Sequence, residues 1–230
     1  MKNQLQKASL LMALVATVPL SSLIASCSAD SKTQAQAPSP AMMDSGTMKM
    51  KGMNHGGMGQ KMSMDLGPAD ENLDMRFIDA MIPHHQGAVV MAKEAQQKSK
   101  RSQLQTLAKD IIQAQDKEIA QMQQWRKAWY PKESNTPMAW STDMGHMMAM
   151  SSSQKQSMMM SQDLGVADAG FDLRFIDAMI PHHEGAVSMA KEVLKKSKRS
   201  DVKQLAQNII TSQQAEIKQM QLWKQSWSKK

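Results

Sequence analysis

The stretch Arg76-Phe77-Ile78-Asp79-Ala80-Met81-Ile82-Pro83-His84-His85 occurs twice in the chain, the second time as residues 174–183. It belongs to a longer duplication. Residues 65–130 match 163–228 at a constant offset of 98, without a gap, and about 40 of the 66 positions are identical. A repeat of this length is one supersecondary unit used twice. Comparing the copies separates filler from fixed positions. Leu73 against Phe171 and Met75 against Leu173 are exchanges among apolar residues, which core packing tolerates. Met81/Met179, His84/His182, His85/His183, Met91/Met189, Glu118/Glu216 and Met122/Met220 are unchanged.

Within each copy the apolar spacing is helical. Leu73, Phe77, Met81, His84/His85, Ala88, Met91/Ala92 and Ala95 step by three and four along one helix face. Asp70 is the expected N-cap. Lys98-Ser99-Lys100-Arg101-Ser102 interrupts the stripe as a tight loop, with Ser102 placed to cap the next helix. A second stripe follows through Leu104, Leu107/Ala108, Ile111, Gln115, Glu118/Ile119, Met122 and Trp125. Each copy therefore reads as a helical hairpin. The fold class is all-α, two duplicated hairpins burying four stripes in an antiparallel four-helix bundle. Pro83 frees the Asp79 carbonyl and should kink the first helix or begin a new one.

Outside the repeats the chain reads differently. Lys2 and Lys7 precede an apolar run from Ala8 to Leu20 and then small residues to Ala29, the pattern of a secretory leader over 1–29. The run is too short for a transmembrane span. The single cysteine, Cys27, follows Ile24-Ala25-Ser26, so it is either a lipid-anchored mature N-terminus or the edge of an ordinary cleavage site. Both readings export the protein. Residues 30–64 and 131–162, lying before the hairpins 65–130 and 163–230, are rich in methionine, glycine, serine and proline, and they read as flexible segments without a core of their own.

Composition narrows the chemistry. Methionine supplies 25 of 230 residues, far above ordinary usage, and one cysteine excludes a disulfide framework or a thiol pair. The net charge of +7 is spread among acids and bases, with no nucleic-acid motif. Met48, Met50, Met53, His55 and Met58 lie in the first flexible segment; Met144, His146, Met147, Met148 and Met150 lie in the second. Thioether is soft, uncharged and needs no deprotonation, so such clusters favour Cu(I) and Ag(I), with imidazole as a nitrogen donor; Cu(II) at His55 or His146 is a lesser variant. In each hairpin His84, His85, Met81, Met91 and Met122, and again His182, His183, Met179, Met189 and Met220, are candidate ligands. The competing reading is that these histidines bond backbone carbonyls and the methionines fill core gaps. Asp79 and Asp177 either orient an imidazole or pair with surface cations.

The block from Phe77 through His84-His85-Gln86-Gly87-Ala88 to Met91-Ala92, with the second-helix pattern ending in Met122 and Trp125, resembles a bacterial domain-of-unknown-function family. The resemblance covers 70–129 and 168–227. It implies a ferritin-like fold and, through the Met-rich extensions, likeness to periplasmic copper-binding, copper-resistance proteins of the CopM type. Its implied ligands are His84, His85, Met81 and Met91, with His182, His183, Met179 and Met189. The expectation is a non-enzymatic, exported protein of the periplasm that sequesters or carries Cu(I), its partners being copper ions and a copper exporter or another periplasmic copper protein. The alternatives are an envelope interaction module using an adaptable methionine surface and, further off, a metal oxidase.

Overall fold

The computed structural model of the chain describes residues 65–229. The expected leader, Cys27, and the candidate ligands Met48, Met50, Met53, His55 and Met58 lie outside the described residues. Four long helices account for most of the rest: α1 (Leu73–Lys98), α2 (Ser102–Trp129), α4 (Phe171–Lys196) and α5 (Ser200–Trp227). Between α2 and α4 come a two-stranded hairpin, β1 (Met138–Ser141) and β2 (His146–Ala149), and a short helix α3 (Ser152–Met159). The architecture is all-α apart from that hairpin. No helix among the described residues is long and apolar enough to cross a membrane.

The loop ahead of each hairpin is folded around an arginine. Arg76, fully buried, donates to the carbonyls of Leu66 and Pro68 and pairs with Asp70. Arg174 repeats this with Leu164, Val166 and Asp168. Gly67 and Gly165 hold the positive φ, +76° and +74°, that these turns need. Asp70 is thereby drawn to Arg76 and to the Asn72 amide, and α1 starts with Asn72, not Asp70, at its N-cap position. Ser102 likewise does not cap α2; Arg101 stands there, and Ser99 Oγ accepts from its amide. Pro83 lies inside a continuous α1, so no new helix begins there. Burial along the whole face outweighs one missing backbone bond.

Reciprocal contacts lock the two hairpins together. Lys98, ending α1, donates to the Gly165 carbonyl just before α4, and Lys196, ending α4, donates to the Gly67 carbonyl just before α1, both at 2.8 Å. The start of each helix thus lies at the end of the other, so α1 and α4 pack antiparallel. Arg101 pairs with Asp172 and lies over the Trp227 ring at 4.3 Å; Arg199 pairs with Asp74 and lies over Trp129 at 4.2 Å. Each of those tryptophans stacks on the one a turn earlier, Trp223 and Trp125 respectively. Cation–π and stacking contacts of this kind contribute about 0.5–1.5 kcal/mol apiece.

Residues 131–162 depart from the flexible reading. The strands pair from Met138 with Ala149 to Ser141 with His146, and Gly145 supplies the positive φ near the turn. Ser151 and Gln154 form a complete capping box for α3. β1 and α3 both pack on α1. This explains why 18 residues of α1 are buried against 12 of α4, although the two sequences are nearly identical. The segment had a core to join: Met150 and Met158 are buried beside Met81, Met122 and Met189.

The approach of α3 to α1 depends on Gly87. A Cβ there would stand 1.7 Å from the Met159 carbonyl oxygen. Gly87→Ala should therefore dislodge the end of α3, cost about 1–3 kcal/mol as an overpacked contact, and expose residues 150–162 to protease. Equal proteolysis and melting temperature in the variant would refute this contact.

Candidate metal centre

Four histidines meet where α1 crosses α4. His84 and His182 pack ring against ring, centroids 3.9 Å apart and planes tilted by 53°. His85 and His183 flank them, 6.4 and 6.3 Å from their neighbours. All four are buried. Each flanking ring is tied to the second helix of its own hairpin: His85 Nε2 to Glu118 Oε2 at 2.7 Å, His183 Nε2 to Glu216 Oε2 at 2.6 Å. A neutral ring that donates Nε2–H to a carboxylate carries its lone pair on Nδ1, the arrangement that prepares an imidazole as a metal ligand. Glu118 and Glu216 thus take the orienting role considered for Asp79 and Asp177. Asp79 instead accepts from Arg126 and the Met138 amide, and Asp177 pairs with Lys224 at the surface.

The centre is short of hydrogen-bond partners. His182 Nε2 donates to the Met159 carbonyl at 3.1 Å. The Nδ1 atoms of His84, His85, His182 and His183, the Nε2 of His84, and the Oε1 of Gln115 and Gln213 are buried with none. All but one of these atoms fall into pairs related by the duplication. Gln115 and Gln213 escaped the sequence reading as site residues, although their identity in both copies on a buried stripe was a usable signal.

Each methionine cluster joins two residues of one copy to one residue of the other. Met81 and Met122 share a cluster with Met189, whereas Met91 shares one with Met179 and Met220. The expected pocket per hairpin is therefore replaced by a centre that both hairpins build. The reason is that α1 packs on α4 as well as on α2, and a stripe's spacing does not say which neighbour it meets. The hairpin residues stand apart in exposure. Met144 is 61% exposed and Met148 39%, His146 is exposed with Nδ1 against the Met144 carbonyl, Met147 is half-buried, and Met150 is in the core. Among the described residues no three His, Cys, Asp or Glu side chains are gathered as a metal site, so an ion at this centre would draw on thioethers too.

A model of the domain-of-unknown-function family DUF305 matches residues 20–126 and again 74–224. The chain belongs to the DUF305 family. The solved structure of CopM in its Cu(II)-bound form is 38% identical with a TM-score of 0.52, covering 67% of this chain and 97% of that one. CopM in its Cu(I)-bound form is 36% identical, TM-score 0.51, with 67% and 96% covered. A DUF305 protein of Streptomyces coelicolor is 28% identical, TM-score 0.51, with 66% and 90% covered. Among curated sequences, the uncharacterized protein L153 of Acanthamoeba polyphaga mimivirus is 45% identical over 49 residues; that match covers 21% of this chain and about a third of that protein's length. The family and its fold are thereby shown, and the likeness to CopM is copper-related.

Burial holds both central rings neutral. His84 is pushed well below the ordinary histidine range, first by burial and then by the neighbouring imidazoles. His182 falls to about 3, first by burial and then by His183, against the opposing Met159 carbonyl. The unfolded chain binds protons at these rings below pH 6.5 and the folded chain does not. Stability is therefore fully present above that pH and declines as pH falls from about 6.5 toward 3, by up to about 1.4 kcal/mol per unit for each ring. Replacing His84 and His182 together by leucine should flatten this acid limb in urea unfolding and leave stability at pH 7.5 equal or higher. An undiminished slope would assign the acid sensitivity elsewhere.

Proposed function

We propose that this DUF305 protein is a non-enzymatic, exported copper-binding protein that sequesters or carries Cu(I), and Ag(I) by the same chemistry, contributing to copper resistance. The observation that carries the reading is the set of unpartnered imidazole nitrogens at the α1–α4 crossing, in a bundle whose two core clusters each bury three of the duplicated methionines. Each unmade hydrogen bond to a buried polar atom costs about 1–3 kcal/mol, and the net stability of a domain is only about 5–15 kcal/mol. Inert filler would not accumulate five such nitrogens; a cation that accepts the one lone pair of each neutral ring relieves those that carry it. A monovalent soft ion suits neutral imidazole and thioether, because neither needs to lose a proton.

The residues proposed as ligands are His84, His85, His182 and His183, with Met81, Met122 and Met189 on one side and Met91, Met179 and Met220 on the other. Exposed His146, Met144 and Met148, with half-buried Met147, would supply a separate surface site, and Met48, Met50, Met53, His55 and Met58 a further group. The CopM structures solved with Cu(I), Cu(II) and silver support the class of cargo, and the leader pattern over 1–29 supports export. A second reading, an envelope interaction module, draws on the exposure of Met144 and Met148, since flexible thioether surfaces also suit protein partners.

An anaerobic titration of the full chain with Cu(I) against a chromophoric chelator tests the proposal. The protein should withdraw several ions from the chelator, and deleting residues 31–64 should lower that number with helicity retained. Failure of the full chain to compete at all would overturn the copper reading.

A further inference from the structure

The turn that closes α3 brings the Met160 side chain to the centre. Met160 follows α3 in the left-handed backbone region, φ 44° and ψ 18°, where a non-glycine residue carries a local cost. Its thioether and the His84 imidazole both face Gly185 of α4. A Cβ built on Gly185 would stand 3.1 Å from His84 Nε2 and 3.7 Å from Met160 Sδ. Glycine is less favourable than alanine inside a helix, so its use here keeps space that a methyl group would occupy. His84 Nε2 is fully buried and has no partner, unlike His182 Nε2, which the Met159 carbonyl engages.

We propose that Met160 supplies a thioether, beside the imidazole of His84, to a soft-metal site whose room is kept by Gly185. The inference rests on the copper reading above and adds to it a ligand from the segment between the repeats. One neutral nitrogen and one neutral sulfur facing a shared niche suit a d10 monovalent cation, which accepts few, soft donors. Because Met159 and Met160 are adjacent, the same turn fixes His182 through a backbone carbonyl and offers a sulfur to His84. The two halves of a near-symmetric pair are thereby given different work.

The test uses Ag(I) as the probe on the full chain, following the 15N shifts of the histidine rings by NMR. In the natural protein, His84 Nε2 should shift as silver is added. In Met160→Leu, which keeps volume but removes sulfur, the same shift should require at least tenfold more silver. Gly185→Ala, which alters no donor, should impair it similarly, while Met158→Leu, a change in the neighbouring core, should behave as the natural protein does. A His84 response unchanged in Met160→Leu would overturn the inference, and so would a chain that binds silver with no His84 response. A natural chain that binds no silver would remove the copper reading itself.

Discussion

Two imidazoles packed 3.9 Å apart at a helix crossing impose conditions on everything around them. They must stay neutral, because neighbouring protonated rings in that setting would repel each other and neither could be solvated. They also need α1 and α4 close together, which is met by small buried residues a turn beyond each ring, Ala88 and Ala186. The outer histidines are held away from this contact by Glu118 and Glu216 on the second helices. The second helix of each hairpin therefore does more than cover apolar surface. It supplies the carboxylate that sets the tautomer of a ring on the first.

The duplication satisfies these demands twice, and the segment between the copies then breaks the symmetry. β1 and α3 pack on α1 and α4 has no described equivalent. Asp79 shows the consequence. It is buried with Arg126 and the Met138 amide, and burial raises its carboxyl above the usual range despite the guanidinium. Its counterpart Asp177 makes only a half-exposed pair with Lys224. Closely similar helices thus acquire different surroundings from a segment that is itself not duplicated. The reciprocal clasps of Lys98, Lys196, Arg101 and Arg199 keep the bundle symmetric where that segment does not reach.

Much of this was legible in the residues. The stripes through Leu73, Phe77 and Met81, and through Leu104, Ile111 and Met122, fixed the helices, and the constant offset fixed their pairing into two alike hairpins. What periodicity cannot carry is the identity of the facing helix, so Met91 was grouped with Met81 when it lies with Met179 and Met220. The segment 131–162 was misjudged for another reason. Its methionines masked local signals that were present: Gly145 between two short strand-length runs, and the pairing of Ser151 with Gln154 ahead of a helix. Composition was weighed above turn and cap chemistry. Arg76 and Arg174, invariant between copies, organise the loops before α1 and α4, a role that no stripe announces.

Packing and ligation are often set against each other as explanations for methionine, yet one thioether can serve both. Met81, Met122 and Met189 are fully or almost fully buried and fill space as any core residue does. Their neighbours decide whether filling space is all they do. A core of aliphatic partners gives a sulfur nothing to share, whereas in the proposed site the unpartnered imidazole nitrogens would share an ion with it. The exposed pair Met144 and Met148 has no such imidazole buried against it, only His146 at the hairpin's edge. The chain therefore holds thioethers in two settings, one enclosed and prearranged, the other open to solvent. Enclosure favours retention of an ion and exposure favours exchange, because a buried donor set is already ordered and loses less entropy on binding. One short segment, residues 138–160, carries thioethers in both settings, with Met144 and Met148 open to solvent and Met150 and Met158 in the core.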